Sequence, residues 1–399
     1  MSVSQPVALH FPGTDFALLP GRGAPMPGFH RMLGELRKER PVAPISFHGS
    51  LAWVLTRHSD VAAAFRDEAL FSARAIQEAN TFPVMGRNIM GMEGDEHRIN
   101  RALVSPKFKL REMPELMESL VRPLCHALVD EFAGEGEVDL VKRFNKRLPL
   151  IAICRLLGIP PEDDASLETW AMDLISYPWD PEGALASSRA FTAYLEQLLE
   201  TRRSAPRDDL LSALCGEEIE GHRLSNEEIF SFVRVLFPAG ADTTYLGLGS
   251  LLVGLLETPG CLDALRGSPD AQAAAVEEAL RWEPPTALLP RMTTGGGEFA
   301  GEKLGPGTVV LLAIAAANRD PAVFTEPDRF DPSRDSSGHL SFGYGNHFCL
   351  GSHLARAEMR TALAVLLERL DEIELQAPPI MQGAVLRGPD QLRVRFSLR

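Results

Sequence analysis

Residues 341–356 read SFGYGNHFCLGSHLAR. One cysteine, Cys349, stands among glycines and aromatic residues, and a run with helical spacing begins directly behind it. The glycines at 343, 345 and 351 allow backbone conformations and close approaches that a side chain would block. A cysteine in that company has three readings: a small packing residue, a reactive nucleophile or a metal ligand. The other cysteines, Cys125, Cys154, Cys215 and Cys261, are widely spaced, and no C-x-x-C pair occurs. This pattern fits a reducing cytoplasm and not a disulfide framework. Cys125, Cys154 and Cys261 fall in apolar helical patterns and Cys215 near a loop, so these four read as packing residues.

The chain has 399 residues, 45% of them hydrophobic, which suffices for a large core. Its 54 acidic and 40 basic residues leave a net charge of -14, which argues against nucleic acid as a partner. The N-terminus lacks the basic start and apolar run of a secretory leader. No stretch of about 18 uncharged apolar residues occurs, so no membrane span is expected. Apolar positions at helical spacing predict helices over 59–67, 96–108, 115–133, 143–157, 187–203, 225–257, 270–283 and 352–370. Extended runs at 51–56, 308–316 and 392–398 punctuate them. Helix and strand signals interleave without a repeat or a linker. The expected fold is mainly α with small β-sheets, residues 1–399 forming a single large domain.

The segment FSFVRVLFPAGADTTYLGLGSLLVGLLE, residues 230–257, predicts a long buried helix interrupted by its own chemistry. Pro238 has no N–H and its ring crowds the preceding turn, so a kink is expected there. Gly240 weakens the same turn. Asp242, Thr243 and Thr244 place polar groups in apolar surroundings, and a threonine hydroxyl can bond the Ala239 carbonyl. This is either a kinked core helix or the edge of a ligand groove, where an acid beside a hydroxyl could deliver protons. Glu278 and Arg281, three apart, share a helical face. Such a pair contributes little on a surface, but breaking it in a core costs about 3–5 kcal/mol. His97 and Arg101, four apart, could together hold a carboxylate.

In this order and spacing the motifs resemble the cytochrome P-450 haem-thiolate monooxygenases of the soluble bacterial type, over essentially the whole chain. Residues 342–351 match the family pattern F-G-x-G-x-H-x-C-x-G at every fixed position. AGADTT (239–244) resembles the oxygen-binding motif of the family's central helix, and Glu278-x-x-Arg281 its E-x-x-R. NRDPAVFTEPDRFDPSR (318–334) resembles the stretch before the ligand loop, with Arg329 as third member of a Glu/Arg/Arg network. The resemblance implies haem b, with Cys349 as the axial thiolate. Phe342 would pack on the ligand side of the macrocycle, and Gly351 would bring backbone N–H groups and a helix start to the sulfur. Ala239 and Gly240 would border the other face. His97, Arg101, Arg291 and His347 would pair with the propionates. Asp242 would relay protons, and Thr243 would hold dioxygen and a water.

The implied reaction inserts one oxygen atom from O2 into an apolar small molecule. Substrate contacts are expected within 73–92, 168–185, 235–243 and 286–291, including Phe82, Val84, Met85, Met90, Trp170, Trp179, Leu288 and Leu289. No flavin or iron–sulfur motif is present, so a separate ferredoxin and an NAD(P)H-dependent reductase should supply electrons in the cytoplasm. Docking is expected on the thiolate side, through His353, Arg356 and Arg360 and through Lys107, Lys109 and Arg111. The alternatives are a haem-thiolate gas or redox sensor, or a nitric oxide reductase on the same scaffold. The complete AGADTT set argues against a sensor, which needs no proton relay.

Overall fold

The computed structural model describes residues 25–47, 50–160, 164–216, 218–219 and 221–399. Residues 1–24, on which the reading of a missing leader rests, lie outside the described residues.

The organising element is the helix Asn226–Glu257. Ser225 starts it with a reciprocal cap. Its hydroxyl accepts from the Glu228 N–H, and the Glu228 carboxylate accepts from the Ser225 N–H at 2.8 Å. That pairing satisfies two donors a helix start leaves open. Between Ile229 and Leu255 every residue is buried except Ala239, Gly240 and Thr243. A helix apolar on all faces must be wrapped on all faces, and this one is. Arg147–Leu157, Asp164–Ile175, Pro269–Trp282 and Ser352–Arg369 all pack against it. Glycines set the distances: a Cβ at Gly240 would lie 2.8 Å from Ile153 Cγ1, and one at Gly254 would lie 2.8 Å from the Phe330 ring. Pro238 does not end the helix, which continues through it. By length and composition this helix could cross a membrane, but 78% of its most apolar window is buried inside the protein.

A five-stranded sheet lies to one side, in the order Val42–Phe47, Ser50–Leu55, Val309–Leu312, Leu289–Thr293, Phe71–Ser72. The pair Ser50–Leu55 and Val309–Leu312 is parallel, and the other pairings are antiparallel. The extended run expected over 308–316 stops at Leu312, and Ile314–Ala317 form a helical turn. The helix expected over 96–108 spans Gly94–Val104, and Pro106 sits in a tighter turn, Ser105–Phe108. The C-terminal strand Arg393–Leu398 pairs with Leu370–Leu375 and Glu137–Asp139. The result is mainly α with small sheets.

Candidate haem site

A cavity of about 310 Å³ separates the central helix from the cysteine loop. Gly343 (φ 71°) and Gly345 (φ 79°) adopt left-handed backbone, which side chains disfavour. Cys349 N–H donates to the Phe342 carbonyl at 2.8 Å and Phe348 N–H to that of Gly345 at 3.1 Å, which closes the loop. The helix Ser352–Arg369 starts immediately after Gly351. Burial pushes the Cys349 thiol up, while the Gly351 N–H and the charges of Arg101 and Arg356 pull it down. Such a sulfur becomes a thiolate once a metal binds it. Cys349 lines the cavity with Phe342 and Gly351, and a Cβ at Gly351 would meet no atom within 4 Å.

Four basic side chains converge at the edge of this cavity. His97 and Arg291 are buried, and the His97 and His347 ring centroids lie 4.4 Å apart. Nε2 of each histidine is buried without a hydrogen-bond partner among the described residues. Burial, then His97, Arg291 and Arg101, hold His347 down at about 3. Burial lowers Arg291 to about 10 against the opposing pull of Glu68. Burial and Arg101 lower His97, and burial lowers Arg101. The nearest carboxylate, Glu68, stays 3.9 Å from His347 Nε2. This is a cationic cluster short of its counter-charge. Two propionates on a haem edge would supply that charge, so these residues fit the group.

On the opposite wall Ala239, Gly240 and Thr243 line the cavity. The Thr243 hydroxyl donates to the Ala239 carbonyl at 2.8 Å, as its spacing predicts. Asp242 turns away. It is buried behind the helix with Oδ2 unpartnered among the described residues. Burial raises it to about 7, with Lys146 opposing and Glu168 reinforcing the shift.

The residues expected to contact substrate divide between those that line the cavity and those that do not. Leu289 and Met90 line the cavity; Phe82, Val84, Trp179 and Leu288 do not, nor do Met85 and Trp170. Val84 and Met85 are core residues, and the Val84 carbonyl accepts from Ser188 Oγ and Arg234. Phe82 lies behind Gly91, where a Cβ would meet its ring at 2.6 Å. Leu288 points into a separate apolar cluster that Trp179 also packs against. Neighbouring residues in an extended segment face opposite ways, so only Leu289 reaches the cavity. Trp170 packs at a tilt against Phe191 and Tyr194. Gln77, Ile89, Val235, Leu236 and Thr286, inside the expected segments but not singled out there, also line the cavity, and Phe65 lies outside those segments. Val235 and Leu236 precede Ala239 by four and three positions, a spacing that puts them on its face.

Behind the cysteine loop, Glu278 and Arg281 are both fully buried and paired through two hydrogen bonds of 2.7 and 2.8 Å. Arg281 also donates to the carbonyls of Asn318, Pro327 and Arg329. The third member of the network is Arg334, not Arg329: Arg334 Nε donates to Glu278 Oε1 at 3.2 Å. The Arg329 guanidinium is 64% exposed and faces Glu326 and Asp331. Only its backbone carbonyl joins the network. Arg356 is likewise not a free surface charge. It forks onto Glu277 and covers the Phe342 ring at 4.3 Å. Burial disfavours the Glu277 charge, but His339 and Arg356 outweigh it and hold the carboxyl at about 2.

A lone cysteine facing a cavity, with a glycine-shaped loop beneath and basic groups at the rim, defines a haem-thiolate site. A family model described as cytochrome P450 matches residues 272–396. The chain is 38% identical to erythromycin C-12 hydroxylase of Saccharopolyspora erythraea, over 86% of its own length and 87% of that protein's. It is 36% identical to 6-deoxyerythronolide B hydroxylase of the same organism, over 92% and 96%. The solved structure of PksS, a bacillaene polyketide synthase cytochrome P450 of Bacillus subtilis, superposes with a TM-score of 0.86 at 32% identity, covering 92% of this chain and 96% of that one. The chain belongs to the cytochrome P450 family. It is a monooxygenase using haem b with a cysteine thiolate ligand. Relatives that are hydroxylases do not favour the sensor or nitric oxide reductase alternatives.

Proposed function

We propose that the protein oxygenates an apolar small organic molecule in the cytoplasm, as one domain of 399 residues, with electrons from a separate ferredoxin and an NAD(P)H-dependent reductase. Cys349 is the metal ligand, and His97, Arg101, Arg291 and His347 hold the propionates. When bound, the haem supplies dioxygen activation, and thiolate ligation favours cleavage of the O–O bond. The chain's own residues set the conditions for that step. Ile89, Met90, Val235, Leu236 and Leu289 give the cavity an apolar wall, which excludes water and favours apolar ligands. Thr243 donates its hydroxyl proton to the Ala239 carbonyl, which leaves its oxygen as an acceptor toward the cavity. Asp242, raised to about 7, carries a removable proton near neutrality on the adjoining position. The groove beside the cysteine loop, where Arg101 and Lys109 add positive charge to the Arg98–Asp95 pair, suits an acidic partner.

The observation that carries this reading is Cys349 opening onto the same cavity that Thr243 borders. The test is the absorption spectrum of the reduced, carbon-monoxide-treated holoprotein. A red-shifted Soret band that Cys349→Ala removes is the expected result; a band unchanged by that substitution would refute the assignment.

A further inference from the structure

The polar groups on the cavity wall divide by what they already bond. Arg101, Arg291 and His347 belong to the basic rim, and Cys349 is the thiolate. Thr243 and Ser341 donate to the carbonyls of Ala239 and Leu280. Thr244 on the central helix, Gln77 and Thr286 stand apart from these. Thr81 Oγ1 donates to Gln77 Oε1 at 2.5 Å, one helical turn away, which fixes the amide. Gln77 Nε2 and the Thr286 hydroxyl have no hydrogen-bond partner among the described residues. The two residues come from adjoining segments, because the helix Ala73–Asn80 packs on the strand Leu289–Thr293 that follows Thr286.

We infer that the substrate carries a neutral hydrogen-bond-accepting oxygen, a carbonyl or ether, on its apolar frame, that Gln77 Nε2 donates to it, and that the Thr286 hydroxyl is the second contact. The inference rests on reading the cavity as the substrate site. A donor left open on an apolar wall loses its water when a ligand fills the space, and a ligand without an acceptor leaves it unpaired. Sites built to bond one polar group discriminate against the analogue lacking it more sharply than apolar walls discriminate between sizes. The oxygen is neutral because the basic side chains on this wall sit in the rim cluster, which itself lacks counter-charge. Gln77 and Thr286 contribute dipoles and no charge.

The experiment is spectral titration of the holoprotein with two matched probes, cyclododecanone and cyclododecane, reading Kd from the shift of the Soret band. The wild type should bind the ketone about tenfold more tightly, which is about 1.4 kcal/mol. Gln77→Leu should remove the preference without weakening the hydrocarbon. Gln77→Glu, of the same size, should remove it as well, because it replaces the donor with an acceptor. Thr286→Val should reduce it. Equal affinity for the two probes, absence of ketone binding, or a preference that survives Gln77→Leu and Gln77→Glu overturns the inference. Each of these results can occur with the carbon monoxide band intact, so they are distinct from failure of the haem-thiolate reading.

Discussion

Arg334→Ala and Arg329→Ala should separate clearly in stability, although the two arginines lie five positions apart in one loop. Arg334 is nearly buried. It donates to Glu278 Oε1 at 3.2 Å, to the carbonyls of Glu326 and Arg329 at 3.1 and 3.3 Å, and to that of Thr325. Removing it takes one donor from each of those carbonyls, of which Glu326 keeps the Arg329 N–H and Arg329 keeps Arg281, and takes one cation from the fully buried Glu278. Glu278 keeps Arg281, the Ser336 hydroxyl at 2.6 Å and the Asp331 N–H at 2.9 Å, so its charge is not orphaned. The cost should therefore fall below the full penalty for stripping a buried charge, at about 1.5–3 kcal/mol, the range for hydrogen bonds to charged groups. Arg329 meets Glu326 at 3.6 Å and Asp331 at 3.8 Å in solvent. Exposed pairs of that kind are worth little, and the substitution should stay within about 0.5 kcal/mol of wild type. Urea unfolding of the holoproteins, followed by far-ultraviolet circular dichroism and by the Soret band, measures both. If Arg329→Ala costs as much as Arg334→Ala, the assignment of the network is wrong.

Thr243→Ala should uncouple the reaction: reductant consumption continues, peroxide accumulates and product falls at least severalfold, whereas full coupling with the native substrate would remove the hydroxyl from proton handling. The folded chain keeps a proton on Asp242 up to about 7, while the unfolded chain loses it near 3.8. The folded state thus binds more protons in that window, and this group erodes stability as pH rises from about 4 to 7. Asp242→Asn, which cannot ionise, should flatten the stability curve there and gain about 4 kcal/mol above pH 7; an unchanged slope would contradict the burial of that carboxyl. Arg291→Leu removes one of the two rim arginines and should speed haem loss to a scavenging apoprotein several-fold, and an unaltered rate would take Arg291 out of the propionate site. Lys109→Glu should slow reduction by an acidic ferredoxin at low salt, with the difference vanishing as ionic strength rises; equal rates at low salt would remove Lys109 from the docking face.

The parts of the site legible in the sequence are those in which consecutive residues carry the chemistry. Gly343, Gly345 and Cys349 sit within one short loop, and the left-handed backbone they need is a property of glycine itself. The long helix shows as a long apolar segment that Pro238 and a few polar residues punctuate without ending it. What escaped depends on the direction of single side chains. Leu288 and Leu289 read alike, yet only one faces the cavity. Asp242 and Thr243 are neighbours, and the turn of the helix puts them on different sides of it. Arg329 and Arg334 lie in a loop without periodicity, so nothing local chooses between them. The helix Ala73–Asn80 buries only Ala73 and Ile76 and is not among the expected helices, and Gln77, although inside the expected contact segment 73–92, is one polar side chain whose direction the sequence does not give.

The contact of Gly240 with Ile153 has a consequence for how the enzyme could diverge. With 2.8 Å from a Cβ to the isoleucine side chain, that flank has little slack: even alanine at 240 must shift the Ile153 side chain of a neighbouring helix. The flank formed by Gln77, Ile89, Met90, Thr286 and Leu289 comes from short segments outside the helical stack, where a changed side chain disturbs little else. A mutagenesis library aimed at new ligands should therefore spend its diversity on that second flank and leave 240 and 153 as they are.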